Sequence, residues 1–416
     1  MNSAADDSRG SRVLAWAKAL AHWSDQDGNL TCTYLTPAHR AAAAQLAEWM
    51  REAGFDTVRH DAVGNVIGRY HADAKVAEPQ LVVTGSHYDT VRNGGRYDGR
   101  LGILLPISVV AKMHRAGRRL PYDLEVVAFA EEEGARFGTS FLASKAYIGQ
   151  FDGAWLDLAD AKGVTMREAM AEAGLDPAAI PDAAVDSRGL KHYFEVHIEQ
   201  GPVLLDAGLP LGVVTSIAGY VRRRLLLKGR AGHAGTTPMS MRHDAACAAA
   251  EIALYVESRC GQAPTLVGTV GMLEVPSGSA NVIPGACRMS LDIRAADDAT
   301  RDAAVADIDR GIAEICARRG VTCEETQQAV SAPAAPCSPE HRALWRDVLA
   351  RHGLQPFELL SGAGHDAMTL ARVASISMLF VRCGNGGISH NPLETVTAED
   401  VELAGRAVEA FLQALG

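Results

Sequence analysis

Apolar and polar positions fall into two textures along this chain. In the first half, short and almost uniformly apolar runs are interleaved with helical patterns. VGNVIGRY, LVVTGSH and LEVVAFA read as strands, and between the last two LGILLPISVVAKMHRAG reads as a buried helix with a glycine stop. A further helix is expected over Pro37–Ala53, with Thr36 as N-cap, Pro37 in the first turn and Gly54 as its stop. Apolar strands alternating with helices indicate a largely parallel sheet covered on both faces. In such sheets functional side chains gather at the carboxyl ends of the strands.

From about Val213 the texture changes. VRRRLLLKG reads as a strand, Met241–Cys260 as an alanine-rich helix, and LVGTVGMLEV and CRMSLDIR as two more strands. An amphipathic helix over Ala299–Arg318 and the strand VTCEETQ complete a β-α-β-β-α-β order, that of a ferredoxin-like unit. Ala332–Pro339, rich in proline and alanine, reads as a linker. A helix over His341–His352 and the strand SMLFVRC then return the chain to the first sheet. The expected fold class is α/β: a discontinuous domain (1–212 and 332–416) with a mixed, mostly parallel sheet, carrying an inserted α/β unit (213–331).

Bulk properties narrow the function classes. A chain of 416 residues can bury two cores, and 48% hydrophobic with 22% charged residues is ordinary globular composition. The formal charge of −10 argues against a nucleic-acid surface, which needs basic stripes. No apolar run approaches the ~20 residues that span a bilayer. The opening MNSAADDSRGSRV lacks the basic and apolar regions of a signal peptide. The eight cysteines form no CxxC pair and sit in core-like surroundings, which fits a reducing, cytoplasmic setting.

Five dispersed residues then read as one metal site. His87 ends LVVTGSH, Asp98 lies in GGRYDG, Glu133 closes the triplet Glu131-Glu132-Glu133, His197 lies in YFEVHIEQG and His390 in GGISHNP. Taken singly, a histidine after a strand is more often a core or surface residue, and an acidic triplet is usually a solvated face. Here three acids follow EVVAFA directly, and acids partly buried without basic partners need compensation that a divalent cation supplies. Asp89, two residues after His87, can accept the imidazole's other N–H and fix its tautomer. Asp98 as a bridge would give each of two ions three protein ligands. Such a pair, ~3.5–4 Å apart, generates hydroxide and polarises a carbonyl. Glu132, free beside Glu133, is then a natural general base.

Other segments read as substrate machinery. His233, in GHAGTTPM, can donate to a tetrahedral oxyanion. Arg294, ending LDIR, can grip a carboxylate with both arms. Asn281 in SANVIPG offers an amide, and His365 with Asp366 forms a glycine-framed polar pair in GAGHDA. A serine elbow (GxSxG), a phosphate loop and a dinucleotide fingerprint are all missing from the sequence.

Six motifs together, TGSHYDTVRNGGRYDG, AEEEGARFG, VHIEQGPVL, GHAGTTPM, SGAGHDA and GISHNPLE, resemble the metal-dependent amidases of the hydantoinase/carbamoylase group. That group contains N-carbamoyl-L-amino-acid hydrolases, β-ureidopropionases and allantoate amidohydrolases, within the aminoacylase/carboxypeptidase clan. The likeness runs from about Gly64 to the C-terminus. It implies two divalent ions per subunit (zinc, manganese, cobalt or nickel). His87, Asp98 and His197 would hold one ion, and Asp98, Glu133 and His390 the other, with Glu132 as base. It further implies that His233 reaches the site of a partner subunit in a homodimer. Gln200, Asn281 and Arg294 would contact substrate, and the insert would act as lid and dimerisation domain. At position 220 the allantoate enzymes are expected to carry glutamine; this chain has Tyr220, which moves the expectation toward N-carbamoyl-L-amino acids without excluding allantoate. The expected activity is hydrolysis of the carbamoyl C–N bond of a small ureido acid. The rival readings are an N-acyl-amino-acid amidohydrolase or dipeptidase of the same clan, and a binding protein that has lost its chemistry.

Overall fold

A computed structural model of the chain describes residues 8–416 and divides into two compact units. One comprises the chain up to Thr215 with Cys337–Leu359 and Gly364–Gly416; the other comprises Ser216–Pro336 with Leu360–Ala363.

The larger unit is built on a mixed sheet. Its strands lie in the order Thr57–His60, Val66–Tyr70, Asp123–Phe129, Leu81–His87, Leu190–Ile198, Ser375–Val381 and Leu211–Ile217. The four from Asp123–Phe129 to Ser375–Val381 run parallel, and antiparallel neighbours close both sides. The parallel strands are buried along nearly their whole length, because helices lie on both faces and leave no polar side to alternate with. Leu101–Arg115 is buried almost all round, since it rests on the Leu81–His87 and Leu190–Ile198 strands and is covered by Arg9–Leu20 and Ala398–Ala414. Pro339–Arg351 joins that layer through Trp345, whose ring stacks on Phe411 at 3.8 Å.

Three of these segments meet at one carboxylate. Glu409, on Ala398–Ala414, pairs with Arg9 at 3.0 Å, with Lys112 at 2.8 Å and with Arg118. Burial pushes the Glu409 carboxyl up, but the three cations outweigh it and hold the group down at about 2.

The smaller unit has an antiparallel sheet ordered Leu273–Glu274, Ala286–Ala295, Gly219–Lys228, Thr322–Ala332, with Leu266–Thr269 also paired to Ala286–Ala295. Ala245–Cys260 and Asp298–Arg319 cover one face and share a core with it, including Leu225, Leu227, Met289, Leu291, Ile252 and Ile308. The β-α-β-β-α-β order stands as the sequence predicts, with three local differences. LVGTVGMLEV is two short strands, because the ladder breaks between Thr269 and Leu273 around Gly271. The first helix starts at Ala245, where Asp244 accepts the N–H groups of Ala246 and Cys247; Met239–Met241 is a separate single turn. The expected linker contains a short strand, Ala335–Pro336, paired with Ser216 and Ile217. Among the described residues no helix is long and apolar enough to cross a membrane.

Candidate metal centre

The parallel strands deliver their last residues to one rim of the larger unit. His87 is the final residue of Leu81–His87, His197 lies one residue from the end of Leu190–Ile198, and the acidic triplet follows Asp123–Phe129. His390 comes from the loop beyond Ser375–Val381, and Asp98 from the loop leading into Leu101–Arg115. In this way residues 300 positions apart in sequence reach a common point.

Asp98 lies at the centre. Its Oδ1 faces His197 Nε2 at 3.3 Å and His87 Nε2 at 3.7 Å, whereas Oδ2 faces His390 Nε2 at 3.2 Å. Glu133 Oε1 is 3.7 Å from the same His390 nitrogen. Ligand atoms of His87, Asp98 and His197 lie within 4.8 Å of one another, and so do those of Asp98, Glu133 and His390. A carboxylate with one oxygen toward each trio has the arrangement of a bridge between two cations. His87, Glu132 and Glu133 also converge within that limit, which puts Glu132 beside both trios.

Backbone bonds hold these groups in place. Asp89 accepts the N–H of Glu132 on one carboxylate oxygen and that of Glu133 on the other, each at 3.1 Å. The His87 Nδ1 lies 3.2 Å from the Asp89 carbonyl and 3.4 Å from its carboxylate, so the imidazole's far nitrogen has acceptors and its Nε2 is left toward Asp98. Gly99 has φ +66°, and a Cβ there would lie 2.5 Å from the His87 ring, so only glycine lets the Asp98 loop close on that histidine. Gln200 and His390 also sit at positive φ (57° and 54°), backbone that costs free energy for non-glycine residues and recurs at functional sites.

The charges call for cations. Asp98, Glu131, Glu132, His87 and His197 are all buried, and the Glu131 carboxylate oxygens find no hydrogen-bond partner. Burial raises the Glu132 carboxyl well above its ordinary range, and burial together with Asp98 raises Glu133 to about 7. Burial pushes Asp98 upward too, yet His197, His390 and His87 outweigh it and hold it well down. So many buried acids against a few imidazoles are poorly compensated by protein groups alone, and the imidazole–carboxylate donor set suits divalent ions.

The structure gives Gln200 a place among these groups: its amide donates to Asp98 Oδ2 at 3.1 Å. His365 packs edge-on against His197 with ring centroids 4.4 Å apart, and Asp366 beside it is fully buried. Glu394 was not singled out from the sequence. Its Oε1 accepts the N–H groups of Tyr97 and Asp98, at 2.9 and 3.2 Å, and its Oε2 accepts from Ser389 at 2.8 Å. It thereby ties the Asp98 loop to the His390 loop. The only signal for it was a lone acid four residues after His390, which looks like any surface glutamate.

Tyr220, His233, Asn281 and Arg294 belong to the smaller unit. His233 and Val282 face each other on a two-stranded ribbon, and the Asn281 carbonyl accepts from Ala234 N–H at 2.9 Å, so His233 and Asn281 are neighbours. The backbone N–H groups of Gly235 and Thr236 point at His233 Nδ1, at 3.0 and 3.3 Å. Nδ1 is therefore an acceptor, and the proton of the neutral ring sits on Nε2 as an exposed donor. Arg294 and Tyr220 are directly opposed on adjacent strands.

Residues 83–414 match the family model described as peptidase family M20/M25/M40. The chain is 39% identical over 428 residues to allantoate deiminase 1 of Glycine max, covering 95% of this chain and 87% of that one. It is 41% identical over 373 residues to an N-carbamoyl-L-amino acid amidohydrolase of Geobacillus stearothermophilus, covering 90% of each. The crystal structure of a hydantoinase/carbamoylase family amidase from Burkholderia multivorans superposes with a TM-score of 0.89 at 33% identity, over 97% of each chain.

Proposed function

The chain belongs to peptidase family M20/M25/M40, and from that membership and the site's geometry we propose that it is a metal-dependent amidohydrolase of ureido acids. The bond cleaved is the carbamoyl C–N bond of an N-carbamoyl-L-amino acid or of allantoate. The observation that carries this reading is Asp98, with one carboxylate oxygen toward His87 and His197 and the other toward His390. It supports two ions, one held by His87, Asp98 and His197 and the other by Asp98, Glu133 and His390. Zinc, manganese, cobalt and nickel all suit such ligands, and availability chooses among them.

Bound divalent ions would supply Lewis-acid polarisation of the scissile carbonyl and a water of lowered pKa. Glu132 accepts a proton from the attacking water at a carboxylate oxygen and returns it to the departing nitrogen. His233, with its proton on Nε2, donates to the oxygen that becomes negative as the carbon turns tetrahedral. Arg294 takes the substrate carboxylate, and Asn281, Gln200, Tyr220 and His365 line the substrate's polar groups. Water adds to the ureido carbon and the C–N bond breaks, so an N-carbamoyl amino acid gives the amino acid, ammonia and carbon dioxide.

The active form on this reading is a homodimer joined through the smaller unit. Leu254 and Leu273 support it: they are exposed apolar side chains on the first helix and on the edge strand Leu273–Glu274. Light scattering on the purified protein tests the dimer. The function is tested by ammonia release from metal-stripped protein after each of the four metals is restored. The substrates are allantoate, N-carbamoyl-L- and D-amino acids and N-carbamoyl-β-alanine, with an N-acetyl amino acid scored by amine release. Metal-dependent turnover of a ureido compound supports the reading; cleavage of the N-acetyl compound alone moves the chain to the aminoacylases.

A further inference from the structure

Three consecutive arginines stand in the strand Gly219–Lys228 of the smaller unit. Strand alternation divides them between the two faces of the sheet. Arg223 turns to the helix face, where it pairs with Asp309 and Glu325. Arg222 and Arg224 share the open face with Tyr220. The antiparallel register sets Tyr220 opposite Arg294, Arg222 opposite Asp292 and Arg224 opposite Ser290. Arg222, Arg224, Ser290, Asp292 and Arg294 line a groove of about 680 Å³.

Two of the guanidiniums share one carboxylate. Arg294 donates from Nε and Nη2 to the two oxygens of Asp292, both at 2.8 Å, and Arg222 Nε donates to the same Oδ2 at 2.9 Å. Arg294 Nη1 also donates to the Gly362 carbonyl at 2.6 Å. Both arginines lie over one ring, with their guanidinium carbons 4.5 Å (Arg222) and 5.9 Å (Arg294) from the Tyr220 centroid. The cluster therefore holds two fixed cations and one anion, and it keeps a positive charge in a chain of net charge −10.

Donor counting shows what remains. A guanidinium has five N–H groups. After the bonds above, Arg294 keeps one on each terminal nitrogen, the edge that binds a carboxylate with two parallel bonds. Arg222 keeps all four terminal N–H groups. An anion reaching the free edge of Arg294 meets a second guanidinium within a few ångströms, because both touch Asp292 Oδ2.

We propose that Arg222 is a second carboxylate-binding residue beside Arg294, that Asp292 is the positioning residue fixing both, and that Tyr220 is the face on which they are stacked. The ligand class is ureido acids selected for their free carboxylate. This rests on the proposed role of Arg294 toward a substrate carboxylate.

The test compares N-carbamoylglycine with its carboxamide, N-carbamoylglycinamide, binding to metal-stripped full-length protein by calorimetry, where no turnover intervenes. The unaltered protein binds the acid at least about tenfold more tightly, the weight of one or more charge-assisted hydrogen bonds. Arg222→Met cuts that acid-to-amide ratio about five- to tenfold and Arg222→Lys restores part of it. Asp292→Asn adds one net positive charge, so a ratio that falls supports its positioning role and a ratio that rises overturns it. Arg224→Met is the control for general charge, since it removes a cation ~7 Å further along the strand and leaves the ratio in place. Equal losses in Arg222→Met and Arg224→Met would overturn the proposal, as would unaltered protein that binds acid and amide alike. If discrimination survives but the metal-restored protein hydrolyses no ureido compound, the hydrolase reading falls and the carboxylate site stands.

Discussion

Asp89 reaches across the rim to hold Glu132, accepting its backbone N–H at 3.1 Å. The same carboxylate holds the N–H of Glu133 and faces the His87 ring, so one acid fixes a candidate ligand on each side of it. Asp89→Ala is expected to weaken divalent-ion binding about 10–100-fold, the usual cost of losing a group that orients ligands. Metal titration of the stripped protein measures it. Unchanged affinity would leave Asp89 a purely structural residue.

Glu132→Gln is expected to lower turnover by ~10²–10⁴ while the bound metal stays near two ions per chain, because the proposed mechanism makes Glu132 a base and not a ligand. Glu133→Gln should instead release metal. Elemental analysis beside initial rates separates the two; a Glu132→Gln protein that turns over normally would refute its role.

On the proposed mechanism His233→Ala slows the chemical step by ~10²–10³, the cost of removing one oxyanion donor. Single-turnover rates report the step directly. A change confined to KM would assign His233 to ground-state binding.

Gly99→Ala places a methyl group 2.5 Å from the His87 ring at a φ of +66°. The expected cost is about 1–3 kcal/mol of stability together with loss of metal from the His87 trio. Thermal melts and metal counts on one preparation check both, and a well-folded variant with full metal would show that the loop can yield.

Glu409 makes a pH prediction away from the metal centre. Its folded pKa is about 2 against an ordinary value of 4.5, so the folded state favours the ionised form. Its contribution is complete above about pH 4.5 and is lost as pH falls toward 2. Glu409→Gln should cost about 1–3 kcal/mol at neutral pH, discounted for the half-exposed Lys112 and Arg118. The gap between variant and parent in urea melts should narrow as pH falls from 5 toward 3; a constant gap would contradict the charge argument.

The strands ending in His87 and the acidic triplet were legible because uniformly apolar runs stop abruptly at polar side chains. The β-α-β-β-α-β order was legible from its alternation of strand and helix patterns. What escaped the sequence depended on distance. The terminal helices Arg9–Leu20 and Ala398–Ala414 form one layer held at Glu409 only through partners four hundred positions apart. Glu394 could not be told from a surface acid, because its partners at Tyr97 and Asp98 lie some three hundred positions away. The pairing of Arg222 and Arg294 through Asp292 follows from strand register, which alternation within a single strand does not reveal.

The two trios around Asp98 also differ in when they can exist during synthesis. His87, Asp98 and His197 are all made in the first half of the chain, whereas His390 follows His197 by nearly two hundred residues. At ~5–20 residues per second, translation leaves an interval of roughly 10–40 s between them. The nascent chain thus carries one complete set of candidate ligands before the other, and the two proposed sites acquire an order of birth that the finished protein no longer displays.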